Sequence, residues 1–173
     1  MQSFKTFAVA AIITVAASGG GSSAQAPAAK APAGTQAKHT MVSPAELKWG
    51  PAPPSLPTGA QVAVLDGDPA KAGLFTLRVK MPDGYAVPPH RHPAAEHVTV
   101  ISGSLMVGMG AKIDEATMQA MNAGGYTKMP ARMNHYVRAK GETILQITAM
   151  GPFEVTYVNP NDDPRKKTTT SKK

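Results

Sequence analysis

A chain of 173 residues is long enough for one domain with tails, and 42% hydrophobic and 17% charged residues are ordinary for a globular protein. The net charge of +7 does not indicate a nucleic-acid partner, because all eleven acidic residues lie between Glu46 and Asp163, where only ten of the eighteen basic residues fall. The sequence contains no cysteine, which excludes disulfides, thiolate nucleophiles and cysteine-based zinc sites, so any metal must be held by imidazole and carboxylate groups.

The N-terminus is typical of an export signal. Lys5 supplies the positive charge, and an apolar run of eleven residues, Phe7–Ala17, is followed by a stretch of small residues. The run is shorter than the roughly twenty residues that a membrane-spanning helix needs. We predict cleavage after Ala24, hence a signal peptide over residues 1–24, a periplasmic or secreted location and no stable membrane span after signal removal. The alternative is an uncleaved anchor or a buried helix.

Two polar stretches flank the predicted domain. Residues 25–42 are rich in Ala and Pro and have no apolar period, which predicts a disordered linker. Residues 162–173 form a basic tail with the same expectation. The folded domain is then predicted to span residues 43–161.

The predicted domain has a rhythm of short strands and turns. Leu74–Met81 alternates apolar and polar side chains and is closed by a Pro-Asp-Gly turn, while Val98–Val107 is a longer β-branched run that Gly103 interrupts. Helical turns are predicted only within Ile113–Met121. No segment is long enough for a crossover helix, so the pattern predicts an all-β antiparallel sandwich or closed barrel. The remaining predicted strands are Gln61–Asp66, Tyr136–Arg138, Thr143–Met150 and Phe153–Val158.

The segment Gly84–Gly103 contains the residues that indicate chemistry. His90 and His92 are two apart, so they project from the same face of an extended chain, and the preceding Pro-Pro pair keeps that chain extended. Glu96 follows by an even step that can return it to the same face. Two imidazoles and a carboxylate suit a divalent transition metal and leave open positions. Taken alone, an H-x-H pair also occurs by chance on exposed strands.

This segment resembles the first conserved motif of the cupin superfamily, G-x5-H-x-H-x3-E-x6-G, at Gly84, His90, His92, Glu96 and Gly103. The second cupin motif, G-x5-P-x-G-x2-H-x3-N, is matched at Gly124, Pro130 and His135. Arg132 stands where this motif usually has glycine, and Ala139 where it usually has asparagine. The chain is most similar to small secreted bacterial single-domain cupins that share an HxHPxxEH segment and a GPF…YVNP ending.

The resemblance implies a double-stranded β-helix, the jelly-roll barrel of the cupins. It also implies one divalent metal ion, either Mn, Fe, Zn, Ni or Cu, bound by His90, His92, Glu96 and His135. Such a ligand set leaves one or two positions for water or substrate. No catalytic residue and no organic cofactor are predicted.

Strand parity predicts that several neighbouring polar side chains point away from the face that carries the ligands. Arg132 is then the only arginine expected near the barrel mouth, which predicts a neutral or weakly charged substrate rather than a phosphorylated one. Gln146 and Thr148 are open to two interpretations, contact with a ligand or structural packing. The side chains predicted to face away from the metal are Arg91, His97, Tyr136 and Arg138.

Three functions fit these features. The first is a metal-dependent enzyme of the oxygenase, isomerase or lyase type acting on a small organic molecule. The second is a non-catalytic module that binds a metal or a small ligand, and the third is a barrel whose site is vestigial. The expected partners are a small-molecule ligand and a second copy of the chain in a homodimer, with no nucleic acid.

Overall fold

The computed structural model describes residues 39–167. The predicted signal peptide, most of the predicted linker and the last six residues of the predicted tail lie outside this part of the chain. Residues 39–42 are exposed and have no regular structure. No helix among the described residues is long and apolar enough to cross a membrane.

Strands dominate the described chain, and every strand pairing in it is antiparallel. Three short 3-10 helices cover Pro44–Glu46, Glu115–Thr117 and Pro160–Asp162, and one helical turn, α1, covers Pro164–Lys167. The strands are β1 (Gly50–Pro51), β2 (Gln61–Asp66), β3 (Gly73–Met81), β4 (Ala86–Arg91), β5 (Glu96–Met109), β6 (Gln119–Asn122), β7 (Tyr126–Met129), β8 (His135–Gly151) and β9 (Thr156–Tyr157).

These strands form one sheet that curls into a jelly-roll barrel, which confirms the predicted fold class. Its main path runs β1-β2-β3-β8-β4-β9, and β5 pairs with β6, β7 and β8. The long strand β8 pairs with two strands of this path: its first residues pair with β4 and its last residues pair with β3. His90 pairs with His135, and Glu96 pairs with Met129, so the loops that connect β4 to β5 and β7 to β8 lie at the same end of the barrel.

The core occupies the barrel interior and follows the period-two pattern of the strands. In β3 the four apolar side chains that alternate in the sequence are all buried, while the residues between them are at least partly exposed. Burying each such side chain contributes roughly 1.5 to 3 kcal/mol to the free energy of unfolding. The buried members of β3 are Phe75, Leu77, Val79 and Met81.

Gly103, which interrupts the β-branched run in the sequence, marks a bulge in β5. Its φ is +79°, and a Cβ at this position would overlap the carbonyl of Glu142. The register between β5 and β8 shifts on both sides of Ser102. The shift reverses the strand's parity, so that even-numbered residues up to Val100 and odd-numbered residues from Leu105 both face the core.

Three predicted elements differ in the structure. The strand predicted over Phe153–Val158 is limited to β9, Thr156–Tyr157. The separate strands predicted on either side of residues 139–142 are one continuous strand, β8, which passes through Gly141 at a φ of +73°. The helical turns predicted over Ile113–Met121 are limited to the 3-10 helix Glu115–Thr117, because the residues that follow pair with β5 as strand β6. Tertiary pairing thus overrides the local helical preference.

We expect Gly108→Ala to lower the free energy of unfolding by about 2 kcal/mol or more, the cost of overpacking a buried site. A Cβ at Gly108 would overlap the ring of Tyr136, which is 2% exposed and held in place by a hydrogen bond from its hydroxyl to the Asp114 carbonyl. Urea denaturation measures the effect. Gly50→Ala is the matched control, since no atom lies within 4 Å of its added Cβ. Equal midpoints for the two variants would contradict the packing assignment.

Candidate metal centre

Three buried histidines meet inside one end of the barrel. His90 lies on β4 and is the cross-strand partner of His135, the first residue of β8, while His92 follows directly after β4. Each offers a ring nitrogen, and these nitrogens lie within 4.8 Å of one another. The exposed fractions are only 4%, 5% and 2% for His90, His92 and His135. This cluster has the chemistry and spacing to hold a metal ion.

Glu96, the first residue of β5, brings a carboxylate to the same point. Its Oε2 lies 3.4 Å from His135 Nε2 and 3.7 Å from His92 Nε2, and the residue is 5% exposed. The four side chains named as ligands in the sequence therefore come together. They arrive from β4, β5 and β8 and the loop after β4, so the centre depends on the closed barrel and on no single segment.

Backbone carbonyls fix the orientation of all three imidazoles. The Nδ1 atoms of His90, His92 and His135 lie 2.7, 2.8 and 3.0 Å from the carbonyl oxygens of Pro88, Glu154 and Met133. A carbonyl oxygen can only accept, so each Nδ1 carries a proton, and in a neutral ring Nε2 then keeps its lone pair. Metal-binding histidines commonly have this arrangement, in which a backbone acceptor sets the tautomer.

Burial keeps two of these imidazoles neutral. Burial, followed by the proximity of His135 and His92, lowers the pKa of His90 to about 3. Burial also lowers the pKa of His92. For Glu96, burial alone would raise the pKa, but the hydrogen bond with His135 and the attraction of the imidazoles outweigh it and lower the pKa overall. Neutral imidazoles and an ionised carboxylate are the protonation states that bind metals.

One atom of the cluster has an unused lone pair that a cation could satisfy. His92 Nε2 is buried and has no hydrogen-bond partner among the described residues. Leaving a buried acceptor unsatisfied costs roughly 1 to 3 kcal/mol. A cation coordinated by the cluster would satisfy this lone pair, and imidazole nitrogen with carboxylate oxygen suits Mn, Fe, Zn, Ni or Cu.

The centre opens onto a cavity of about 480 Å³ inside the barrel. Apart from the four site residues its lining is almost entirely apolar, and no Lys or Arg of the described chain belongs to it. The strand residues that line it include Leu77, Val79, Met81, Val98, Leu105, Leu145 and Ile147. The space is large enough for a small organic molecule in contact with the centre.

Two tyrosines hold a segment across the mouth of this cavity. The Tyr85 hydroxyl donates to the Pro57 carbonyl at 2.6 Å, and the Tyr157 hydroxyl donates to the Ser55 carbonyl at 2.8 Å. Leu56, between these two acceptors, lines the cavity. Sequence reasoning assigned no role to either tyrosine, because their acceptors lie 28 and 102 residues away along the chain.

Phe153 is a further residue of the site that was not singled out from the sequence. Its ring stacks on the imidazole of His92, with centroids 4.2 Å apart and an interplanar angle of 11°. It also lines the cavity. Phe153 belongs to the GPF segment of the ending that the chain shares with small cupins, and this segment was the sequence signal that could have identified it.

The side chains predicted to face away from the metal do so. Arg91 is exposed, and His97 Nδ1 lies 2.6 Å from the Tyr126 hydroxyl on the outer surface. Arg138 pairs with Glu115 at 2.6 Å. Tyr136 is buried but outside the cavity lining, packed against Gly108. Parity therefore predicted these orientations correctly.

For Gln146 and Thr148 the structure supports the packing interpretation. Gln146 Oε1 accepts from Arg78 Nε at 3.2 Å, and the Thr148 hydroxyl is hydrogen-bonded to the Thr76 hydroxyl at 3.0 Å. Both contacts join β8 to β3 across the outer face, away from the cavity lining.

The two departures from the second cupin motif have different surroundings. Ala139 is 2% exposed and lies opposite Leu105 in the core, so no polar side chain projects there. Arg132 has a φ of +64°, the left-handed conformation that glycine adopts freely and that costs other residues about 1 to 2 kcal/mol. Arg132 was expected near the barrel mouth, but it lines a separate outer groove. Its backbone N–H donates to the His92 carbonyl at 2.8 Å, which holds its loop beside His92.

Comparison with known proteins agrees with this architecture. A family model described as the ChrR cupin-like domain matches residues 37–154, more than half of the chain. No curated protein matches.

Solved structures show the same fold at low sequence identity. A candidate acetylacetone dioxygenase from Methylibium petroleiphilum PM1 has a TM-score of 0.59 at 20% identity, over 80% of this chain and 98% of that one. The polyketide cyclase RemF from Streptomyces resistomycificus has a TM-score of 0.57 at 16% identity, over 78% and 95%. An RmlC-like cupin from Shewanella frigidimarina NCIMB 400 has a TM-score of 0.51 at 14% identity, over 66% and 91%.

Proposed function

Because the chain belongs to the ChrR cupin-like family of the cupin superfamily, we propose that it is an exported, metal-dependent enzyme acting on a small, largely apolar organic molecule. The observation that carries the proposal is the continuity of the cavity with the buried His and Glu cluster. A purely structural metal site would be closed on all sides, whereas a catalytic one keeps an open position.

The proposed metal ligands are His90, His92, Glu96 and His135, and the proposed ion is divalent Mn, Fe, Zn, Ni or Cu. When bound, such an ion supplies a Lewis acid, and a redox-active ion adds electron transfer. The protein's part is to present three fixed nitrogen donors and one anionic oxygen in a space shielded from water. The ionised Glu96 partly offsets the charge of the ion, which would otherwise be costly to bury.

The lining of the cavity supports an apolar substrate that carries one polar group. Its aliphatic walls would bury the body of the molecule, and the cluster is the main polar surface that a substrate group could meet. A phosphorylated substrate would need Arg or Lys aimed at its oxygens, and the described lining contains neither. Neighbours named as a dioxygenase and a polyketide cyclase agree with the proposed class of small organic molecule.

A non-catalytic role in binding a metal or a small ligand is the second candidate, and one observation favours it. Beyond the four site residues, the only acid or base in the described lining is Tyr85. Its hydroxyl already donates to a backbone carbonyl, and burial raises its pKa, so it is a poor proton acceptor or donor for a substrate. In the enzyme proposal the ion must therefore provide most of the activation.

The enzyme proposal predicts that Ala70→Trp abolishes turnover while leaving bound metal unchanged. Ala70 is exposed at the mouth of the cavity, where an indole would obstruct entry without disturbing the core. The assay is oxygen uptake and product detection over a panel of small apolar carbonyl compounds and acids, using protein reconstituted with each candidate metal. Ala123→Trp, in an exposed turn outside the lining, is the matched control. Saturable ligand binding without turnover under every metal would support the binding module instead.

The proposed export predicts a mature N-terminus at Gln25. This expectation is based on the apolar run and the stretch of small residues that precede Gln25. N-terminal sequencing of protein recovered from the periplasm or medium measures the cleavage site, with Ala24→Leu as a variant in which processing should slow or shift. Protein that retains Met1 in a soluble cytosolic fraction would contradict the proposal.

A further inference from the structure

A second concave region lies beside His92, outside the barrel cavity. It is an open groove of about 440 Å³. It shares only His92 with the barrel cavity. We call it the arginine groove, and its lining residues are Arg91, His92, Pro93, Arg132, Asn134, Glu154 and Thr156.

The arginine groove holds two guanidinium groups without partners. Arg91 ends β4 beside Thr156 of β9, and Arg132 lies in the loop before β8. Among the described residues neither side chain forms a hydrogen bond or an ion pair, although the other three described arginines all do. Those three are Arg78, bonded to Gln146, Arg138, paired with Glu115, and Arg165, paired with Asp163. Both unpartnered cations thus line the same concave surface, which is the arrangement of an anion site.

The backbone conformation of Arg132 indicates that folding does not require an arginine side chain at this position. A residue with a φ of +64° would be accommodated more easily as glycine, the usual residue of the cupin motif at this position. The contact that this residue makes to the fold is its N–H donated to the His92 carbonyl, which glycine would also provide. Strained non-glycine residues are concentrated at functional sites.

A third observation concerns Asn134, which also lines the groove. Its Oδ1 is buried and has no hydrogen-bond partner among the described residues. Such an acceptor is normally satisfied by water or a ligand. Glu154 adds a second acceptor and one negative charge, so the charged lining of two arginines and one glutamate is net +1. This balance suits a singly charged anion that also carries a hydrogen-bond donor.

We propose that the arginine groove binds the carboxylate of a small organic acid that bears a hydroxyl group. The guanidinium groups of Arg91 and Arg132 donate to the carboxylate, while Glu154 accepts from the hydroxyl group. A carboxylate matches the planar fork of arginine, and its single charge matches the groove better than a phosphate dianion does. The site is separate from the proposed active site, and the inference does not depend on bound metal.

The test is a titration of the full ¹⁵N-labelled chain with sodium glycolate, followed by NMR at constant ionic strength, with sodium chloride and inorganic phosphate titrated in parallel. Saturable shifts are expected at the amides of Arg91, Arg132 and Asn134, with weaker binding of phosphate. Arg91→Gln and Arg132→Gly should each weaken glycolate binding by about tenfold or more, the effect of losing a charged hydrogen bond. Arg132→Gly also relieves the backbone, so misfolding cannot explain its loss of binding.

Lys140→Gln is the matched control, because Lys140 is an exposed cation within β8, opposite Ser104 of β5, and lies outside the groove. It should bind glycolate as the parent does. Shifts equal to those in sodium chloride, or binding that persists in both arginine variants, would overturn the site. Phosphate binding tighter than glycolate would overturn the carboxylate assignment, and shifts confined to Val98 and Leu105 would place the glycolate in the barrel cavity instead.

Discussion

Replacing any one of His90, His92 and His135 with alanine is expected to nearly abolish metal retention after dialysis. The three nitrogen donors lie within 4.8 Å of one another, and each ring is oriented by its own backbone carbonyl. Removing one leaves an incomplete cage in a buried space where no other described side chain can replace it. Elemental analysis of purified, dialysed variants beside the parent protein measures the loss.

Glu96→Gln should retain weakened binding, because an amide oxygen can still coordinate but no longer offsets the charge of the ion. His97→Ala is the matched control, since His97 lies one residue from Glu96 but hydrogen-bonds with Tyr126 on the outer surface. It should keep a full equivalent of metal. Full occupancy in all three ligand-to-alanine variants would contradict both the site assignment and the function built on it.

The metal-free protein is expected to lose stability steeply as the pH falls from about 6.5 toward 3. The pKa of His90 is lowered from 6.5 to about 3 in the folded chain, so between these values only the unfolded state takes up this proton. The lowered pKa values of His92 and Glu96 act in the same direction. Stability contributed by a depressed pKa is present above the unfolded-state value and is lost on acidification. For His90 alone the free energy of unfolding should fall by about 2 kcal/mol between pH 6.5 and 5.

Urea denaturation of the metal-free chain at a series of pH values measures this slope. His90→Gln should be less stable at pH 7 but should show a shallower fall, because its side chain does not titrate. A parental slope in the His90 variant would show that the acid sensitivity arises elsewhere. Metal should also be released over this range, since protonated imidazoles do not coordinate.

The sequence by itself determined the family, the all-β class and the residues that meet at the centre. Two interlocking motifs placed His90, His92 and Glu96 on one extended segment and His135 on another. The strict alternation of β3 predicted its buried face correctly. Such inferences succeed because they depend on local periodicity and on residue types that few other functions require together.

Only the tertiary structure decided where the side-chain parity of a strand reverses. Both Val87 and His90 face the interior although their parities differ, because the register between β4 and β8 shifts at the intervening prolines. The bulge at Gly103 reverses parity in β5 in the same way. A one-residue shift moves every following side chain to the other face of a sheet, and the sequence carries no local signal of where partner strands impose it.

Tertiary contacts also decided the surroundings of the centre. The carbonyl that orients His92 belongs to Glu154, 62 residues later in the chain, and the hydroxyl of Tyr157 reaches Ser55 across 102 residues. Arg132 lines the arginine groove because its loop is tied to the backbone of His92. Backbone acceptors have no residue-specific signature in a sequence, so these partners became identifiable only when the closed barrel brought distant segments together.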